Sequence, residues 1–225
     1  MNKVLEVNFS GWTATPRMPF ILSGNALCLP VPTYSLLLGI IGCCLGRVVE
    51  SNEVSFGYRY SFDGVATDLE TRQRLEFDGK KVKSHAKGSD AYQREFHIMP
   101  KLTIWLNRLD WENYFKNPVG TPSLGRSQDI LTIGEIRQIE VQQVDSAKIS
   151  GCMLPFNPKV QVGGQIVQLA ESYQENDEIG SGRTPTRTGI FMALHADNEQ
   201  LLKMPNLFQT IEDVPKNFYL HQFNH

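Results

Sequence analysis

The 225-residue chain lacks an apolar run long enough to cross a membrane as a helix. Its longest uncharged apolar stretch, 27–46, is interrupted by Pro30, Pro32, Thr33 and Ser35, which leaves about 11 residues where a span needs about 20. The opening MNKVLEVNFSGW alternates apolar and polar residues and has neither the basic flank nor the apolar block of a secretion signal. No membrane partner is expected, and the protein reads as cytoplasmic. Cysteine is scarce: four residues, at 28, 43, 44 and 152, with no CxxC pair. Neither a zinc site nor a disulfide framework is therefore expected, only free buried thiols. No Gly-Lys-Ser or Gly-Lys-Thr ending marks a nucleotide-binding loop. Internal repeats and low-complexity tracts are absent, and no cofactor is expected.

A large excess of either charge is missing too. With a net charge of −2, 41% hydrophobic and 20% charged residues, the chain reads as a globular domain with a real core. The average hides a local asymmetry. Across 71–94, TRQRLEFDGKKVKSHAKGSDAYQR, seven basic residues face three acidic ones, leaving +4 there and −6 over the rest. Such a segment has the electrostatics to seek phosphate, or is a solvated loop. Asp78-Gly79 inside it is a two-residue turn signal, so a β-hairpin projecting from a sheet is predicted over 66–94.

Periodicity supplies the rest of the order. Val4, Leu5, Val7 and Phe9 predict a first strand; 58–62, 96–106 and ILTIGEIRQIEV predict others, and PTYSLLLGIIGCCLGR predicts a helix over 33–47. Strand, helix, strand, hairpin, strand, loop, strand implies an α+β fold with helices on one face of the sheet. In the helix, Ser35, Gly39, Gly42 and Gly46 form one small-residue stripe while leucines and isoleucines cover the other sides. Three interior glycines cost about 1 kcal/mol each against alanine. Something must come close, either the chain's own sheet or another backbone. Thr33 or Ser35 can cap the N-terminus, whose free N–H groups favour an anion, and Tyr34 there either stacks on a base or packs beside the proline.

Taken together, a first strand, the PRMP element (Pro16 to Pro19), and P-T-x-S-x-L-L-G-x-x-G-x-x-L-G at Pro32, Thr33, Ser35, Leu37, Leu38, Gly39, Gly42, Leu45 and Gly46 closely resemble CRISPR-associated protein family five. This is the RAMP-superfamily subunit of Cascade effectors that caps the crRNA 5′ handle. REFHIMPKLTIWL (94–106) resembles the strand after that family's thumb, and PSLGRSQDIL (122–131) is similar to the Gly-Arg-Ser-x-Asp segment of its type I-B members. The resemblance spans residues 1–140 and implies a ferredoxin-like, RRM-related RAMP fold over 1–225 with the basic hairpin as thumb. Residues 141–225 then complete the sheet or form a small C-terminal lobe. It implies phosphate contacts by Arg17, Thr33, Ser35 and Arg126, and base contacts by Tyr34, Ser127 and Gln128. Lys80, Lys81, Lys83, His85, Lys87 and Arg94 would add the thumb's salt-sensitive attraction. Arg126 also has a structural alternative, a turn pairing with Asp129. The implied partners are the crRNA handle, the backbone and large Cascade subunits, and target DNA through the complex.

The resemblance implies a non-catalytic subunit. One branch of the family cleaves precursor RNA without metal, and Tyr34, His85 and His97 have the residue types for that alternative, although His97 in an alternating strand also reads as packing. A purely structural adaptor is a third reading. GSGRTPTRTG (180–189) reads as a mobile loop, and the carboxylates Glu171, Glu175, Asp177 and Glu178, which lack metal-ligand spacing, as a solvated loop; VQVGGQIVQLAESY and GIFMAL read as strands, and the aromatic C-terminal stretch as core packing.

Overall fold

In the computed structural model, residues 2–19, 24–175 and 182–223 are described, Lys87 and Glu175 by their backbone alone. In chain order they form β1 (Lys3–Gly11), β2 (Thr13–Ala14), β3 (Asn25–Ala26), helix α1 (Tyr34–Leu45), β4 (Phe56–Ser61), β5 (Gly64–Phe77), β6 (Val82–Ile98) and β7 (Lys101–Leu106). A one-turn helix α2 (Glu112–Lys116) and β8 (Leu131–Gln143) follow. The C-terminal part contributes β9 (Ala147–Ile149), β10 (Met153–Pro155), β11 (Gln165–Glu175), β12 (Arg183–Ala193), β13 (Gln200–Leu202), β14 (Leu207–Thr210) and β15 (Asn217–Tyr219).

The main sheet runs β15-β14-β8-β1-β7-β4, and every neighbouring pair in it is antiparallel. Within it, β1-α1-β4 and β7-α2-β8 are two βαβ units whose strands lie in the order β8-β1-β7-β4. That is the 4-1-3-2 order of a ferredoxin-like fold, so the expected α+β architecture stands. Its second helix, which the turn-rich sequence after β7 does not announce, is reduced to a single turn. Residues beyond β8 extend the main sheet by β14 and β15 and also build a separate sheet, β10-β12-β11.

Helix α1 begins where Thr33 Oγ1 accepts the Leu36 N–H (3.2 Å) and ends at Gly46, whose φ of +71° few other residues adopt. It is apolar nearly all round because both sides are covered. Leu37, Ile40, Ile41 and Cys44 share one core with Leu5 and Ile104 of the main sheet and with Leu169, Phe191 and Met192 of β11 and β12. On the opposite face of the main sheet, Trp105 stacks on Phe218 (4.6 Å), closing a second core with Phe208 and Leu220. The aromatic C-terminal stretch packs on its own chain, as read. Fully buried Glu6 ties this layer together, accepting from Trp105 Nε1 (2.7 Å), Arg137 Nη2 (2.8 Å) and Lys216 Nζ (2.9 Å). Burial pushes its pKa up, but these donors more than offset that and hold it below the ordinary carboxylate value.

One strand boundary differs from expectation. The single strand read over 96–106 is two, because Met99 (φ +52°) and Pro100 break it between β6 and β7. The four cysteines are free, and burial pushes the thiols of Cys28, Cys44 and Cys152 up to about 12. Among the described residues no helix is long and apolar enough to cross a membrane.

Candidate nucleic-acid interface

The hairpin read over 66–94 is longer, comprising β5 and β6 from Gly64 to Ile98. At about 3.3 Å per residue its 14-residue strand reaches about 45 Å. Its foot is held by β2, with Thr13 opposite Ile98, and by β3, with Asn25 opposite Gln93. Beyond that foot, among the described residues, β5 and β6 pair only with one another, which leaves Leu75, Phe77 and Val82 exposed. The tip is a tight turn. Asp78 Oδ1 accepts the N–H groups of Lys80 and Lys81 (both 3.0 Å), and Gly79 takes φ +90°.

Charge along this hairpin is sorted. Asp90 pairs with Arg74 and, at 3.8 Å, with Arg72; Glu76 pairs with Lys83 (3.4 Å), and His85 Nε2 lies 4.0 Å from it. Lys80 and Lys81 are exposed and form no ion pair among the described residues. The side chain of Lys87 lies outside the described residues.

Arg94 and Arg126, expected on RNA, are committed to the protein. Arg94 is buried and donates from Nε to Glu70 Oε2 (2.7 Å) and from Nη2 to the Tyr92 hydroxyl (2.7 Å). Arg126 donates from Nη1 to Glu70 Oε1 (2.7 Å) and from Nη2 to Asp129 Oδ1 (2.9 Å), with its guanidinium 5.5 Å from the Phe96 ring. Asp129, fully buried, also accepts from Thr13 and Thr15 (2.7 Å each) and from the Arg126 N–H (3.0 Å). The phosphate role expected of Arg126 is therefore corrected to its structural alternative. The Gly-Arg-Ser-x-Asp segment anchors the hairpin through Glu70, a partner 56 residues away that sequence spacing does not reveal. Ser127 and Gln128, between the two anchoring residues, stay exposed.

The helix mouth is corrected at one position. Tyr34 is buried, stacks on His221 (3.9 Å, 14°) and donates its hydroxyl to the Met153 carbonyl, so it has no face for a base. Thr33 and Ser35 are half-buried with their hydroxyls 3.0 Å apart, and Arg17 is exposed in a bridge to Cys28. The glycine stripe does not pack on the sheet. A Cβ on Gly42 would lie 2.7 Å from the Arg47 carbonyl and one on Gly46 2.7 Å from Val119, whereas one on Gly39 would meet nothing within 4 Å. Gly39, Gly42 and Gly46 instead line an open groove with Arg47, Tyr173 and Arg183.

His97 is buried, stacks on Phe62 (3.7 Å) and lies 2.8 Å from the Tyr60 hydroxyl. Burial, and then the nearby His195, push its pKa down to about 4. Glu171 is no solvated loop residue: it is buried in β11, 2.6 Å from His221 Nε2 and 3.4 Å from Arg187 Nε. Residues 183–189, read as part of a mobile loop, are strand β12 paired with β11. Asp177, Glu178, Gly180 and Ser181 lie outside the described residues, as does the Glu175 side chain.

No family model matches the sequence, and no curated protein matches it. Solved structures resemble it. A CRISPR protein from Archaeoglobus fulgidus is 9% identical with a TM-score of 0.52, over 98% of this chain and 100% of that one. A chain of the Type III-B Cmr-beta complex bound to cognate target RNA is 9% identical with a TM-score of 0.53, over 89% and 86%. The fold is of the RAMP type seen in CRISPR-associated proteins. This chain also matches one in a CRISPR RNA-guided surveillance complex at 17% identity and a TM-score of 0.42, and spans 58% of that chain's length.

Proposed function

We propose that this chain is a cytoplasmic, non-catalytic subunit of a type I-B-like CRISPR Cascade effector. It caps the 5′ handle of crRNA and bridges the backbone and large subunits for guide-directed DNA targeting. The observation that carries this reading is a hairpin of some 45 Å, mounted on a ferredoxin-like core, whose tip lysines Lys80 and Lys81 are unpaired among the described residues while the basic residues at its foot are ion-paired. Phosphate is the partner such a tip attracts at physiological salt. The RAMP-type fold supports the reading, as do the exposed Arg17, Ser127 and Gln128. Burial of Tyr34 and the low pKa of buried His97 support a binding rather than a cleaving role, since an RNA 2′-hydroxyl needs an accessible base.

The test is anisotropy of labelled, repeat-derived single-stranded RNA titrated with the protein over a range of salt. Affinity is expected to fall log-linearly with salt, and Lys80→Ala/Lys81→Ala to flatten the slope by about 1.4, at about 0.7 per single-strand phosphate contact. The RNA should stay full length on a denaturing gel. Absence of binding, or a double variant with the wild-type slope, overturns the handle-binding role; shortened RNA in EDTA overturns the non-catalytic one.

A further inference from the structure

Trp12 is 82% exposed, while the other two tryptophans, Trp105 and Trp111, are 1% and 3% exposed. An indole left this open forfeits a large apolar burial, and among the described residues no ring or guanidinium packs on its face. Its backbone is nevertheless rigidly mounted. The Trp12 carbonyl accepts the Met99 N–H (2.9 Å), and the neighbouring Thr13 both pairs with Ile98 at the hairpin foot and donates to buried Asp129 (2.7 Å). The same carboxylate fixes the turn that carries Ser127 and Gln128: Asp129 Oδ2 accepts the Arg126 N–H, and the Asp129 N–H donates to the Arg126 carbonyl (both 3.0 Å). On the other side Gly11 lies against the Ile130 carbonyl, at 2.9 Å from where its Cβ would be. An uncovered aromatic plane and two exposed hydrogen-bonding side chains therefore share one anchor at the foot of the basic hairpin.

We propose that Trp12 is a stacking platform for one base of the bound single-stranded RNA, with Ser127 and Gln128 reaching the edge of that base. This rests on the RNA-binding reading above and gives it a base subsite in place of buried Tyr34. Every base has a π-face, so stacking supplies affinity, and the paired polar side chains supply what selectivity the subsite has. A protein partner on this plane would have to match Ser127 and Gln128 as well as the indole. A nucleobase, flat with donors and acceptors on its rim, fits both with one group.

Because the other tryptophans are buried, acrylamide quenching and the long-wavelength edge of tryptophan emission report on Trp12. The experiment titrates the full-length protein with unlabelled, mixed-sequence single-stranded RNA, following this emission, and in parallel measures anisotropy of labelled RNA. Expected are quenching and acrylamide protection that saturate with the anisotropy. Trp12→Ala should weaken binding roughly 5- to 150-fold with an unchanged salt slope, and Trp12→Phe should retain most of the affinity. Anisotropy that rises while emission and acrylamide access stay at their free values, or a Trp12→Ala variant that binds like wild type, overturns the subsite and leaves the RNA-binding reading standing. Absence of binding at every salt overturns both. Emission that answers to an added Cascade subunit but not to RNA assigns the plane to a protein and overturns the proposal. Trp12→Phe, with a wild-type melting temperature, controls for folding.

Discussion

Replacing Arg126 by alanine separates two roles for the Gly-Arg-Ser-x-Asp segment. A phosphate ligand at this position would, when removed, cost RNA affinity and about 0.7 of salt slope while leaving stability alone. The contacts observed require the opposite. Arg126 gives Asp129 two of its donors, Nε at 3.1 Å and Nη2 at 2.9 Å, and Asp129 is fully buried. Alanine would leave that carboxylate with only Thr13, Thr15 and one backbone N–H. Stripping one partner from a buried ion pair costs about 3–5 kcal/mol. Glu70 keeps Arg94 and Tyr92, so the lower end applies, about 3 kcal/mol. For a chain of 225 residues each kcal/mol lowers the melting temperature by about 2–4 °C, hence a fall of about 6–12 °C. Circular dichroism at pH 7 reads it. Adding Asp129→Asn, which removes the stranded charge, should make the double variant less unstable than the sum of the singles. A variant that melts like wild type yet has lost RNA affinity would refute the anchoring role. The acid limb gives a second check. Burial pushes the Glu70 carboxyl up, but Arg94, Arg126 and Tyr92 more than offset this and lower it from 4.5 to about 2. Its contribution is therefore complete above about pH 4.5 and disappears as pH falls towards 2. With Arg126→Ala, acid unfolding should begin at a higher pH.

The glycine stripe should respond unevenly. Gly39→Ala, with open space around its Cβ, should stabilise the helix by about 1 kcal/mol, whereas Gly46→Ala, at φ +71° and against Val119, should destabilise by at least about 1–2 kcal/mol; urea midpoints measure both. Tyr34→Phe removes a buried hydroxyl donor from the Met153 carbonyl and should cost about 1–2 kcal/mol, with RNA affinity at 25 °C unchanged; a loss of affinity in the folded variant would return this ring to the RNA site. His97 should titrate near 4 by NMR. Since its folded value lies below the ordinary 6.5, stability should be full above that pH and decline from there towards 4. His97→Gln should lose that part of the decline.

What can be read from the sequence follows from how far apart the causes lie. Strand β1 announces itself because alternation is local, and helix α1 because Thr33 and Gly46 cap it from adjacent positions. The hairpin is legible from Asp78-Gly79 between two strand-forming runs, although its foot, set by β2 and β3, is not. Side-chain commitments depend on contacts that local pattern does not contain. Tyr34 stands at the mouth of a capped helix and would face an anion there, but His221, from the far end of the chain, comes to rest on its ring. Arg94 and Arg126 belong to a basic segment and a motif that resemble RNA contacts, yet both meet Glu70, which no spacing rule connects to either. Trp12 directly follows β1, and no local pattern in the sequence announces that its indole stays 82% exposed. The physical lesson is one of subtraction. Ionised groups taken out of water must be paired or suffer their desolvation, so folding claims buried Arg94, Asp129 and Glu171 and half-buried Arg126 and Glu70 for itself. Among the described residues, the groups it leaves without such partners include Lys80 and Lys81 at the hairpin tip and Trp12, Ser127 and Gln128 at its foot, which stay open to a polyanion with exposed bases. That division into a charged tip and a stacking foot predicts separable losses: tip variants should change the salt slope, and foot variants should change affinity at constant slope.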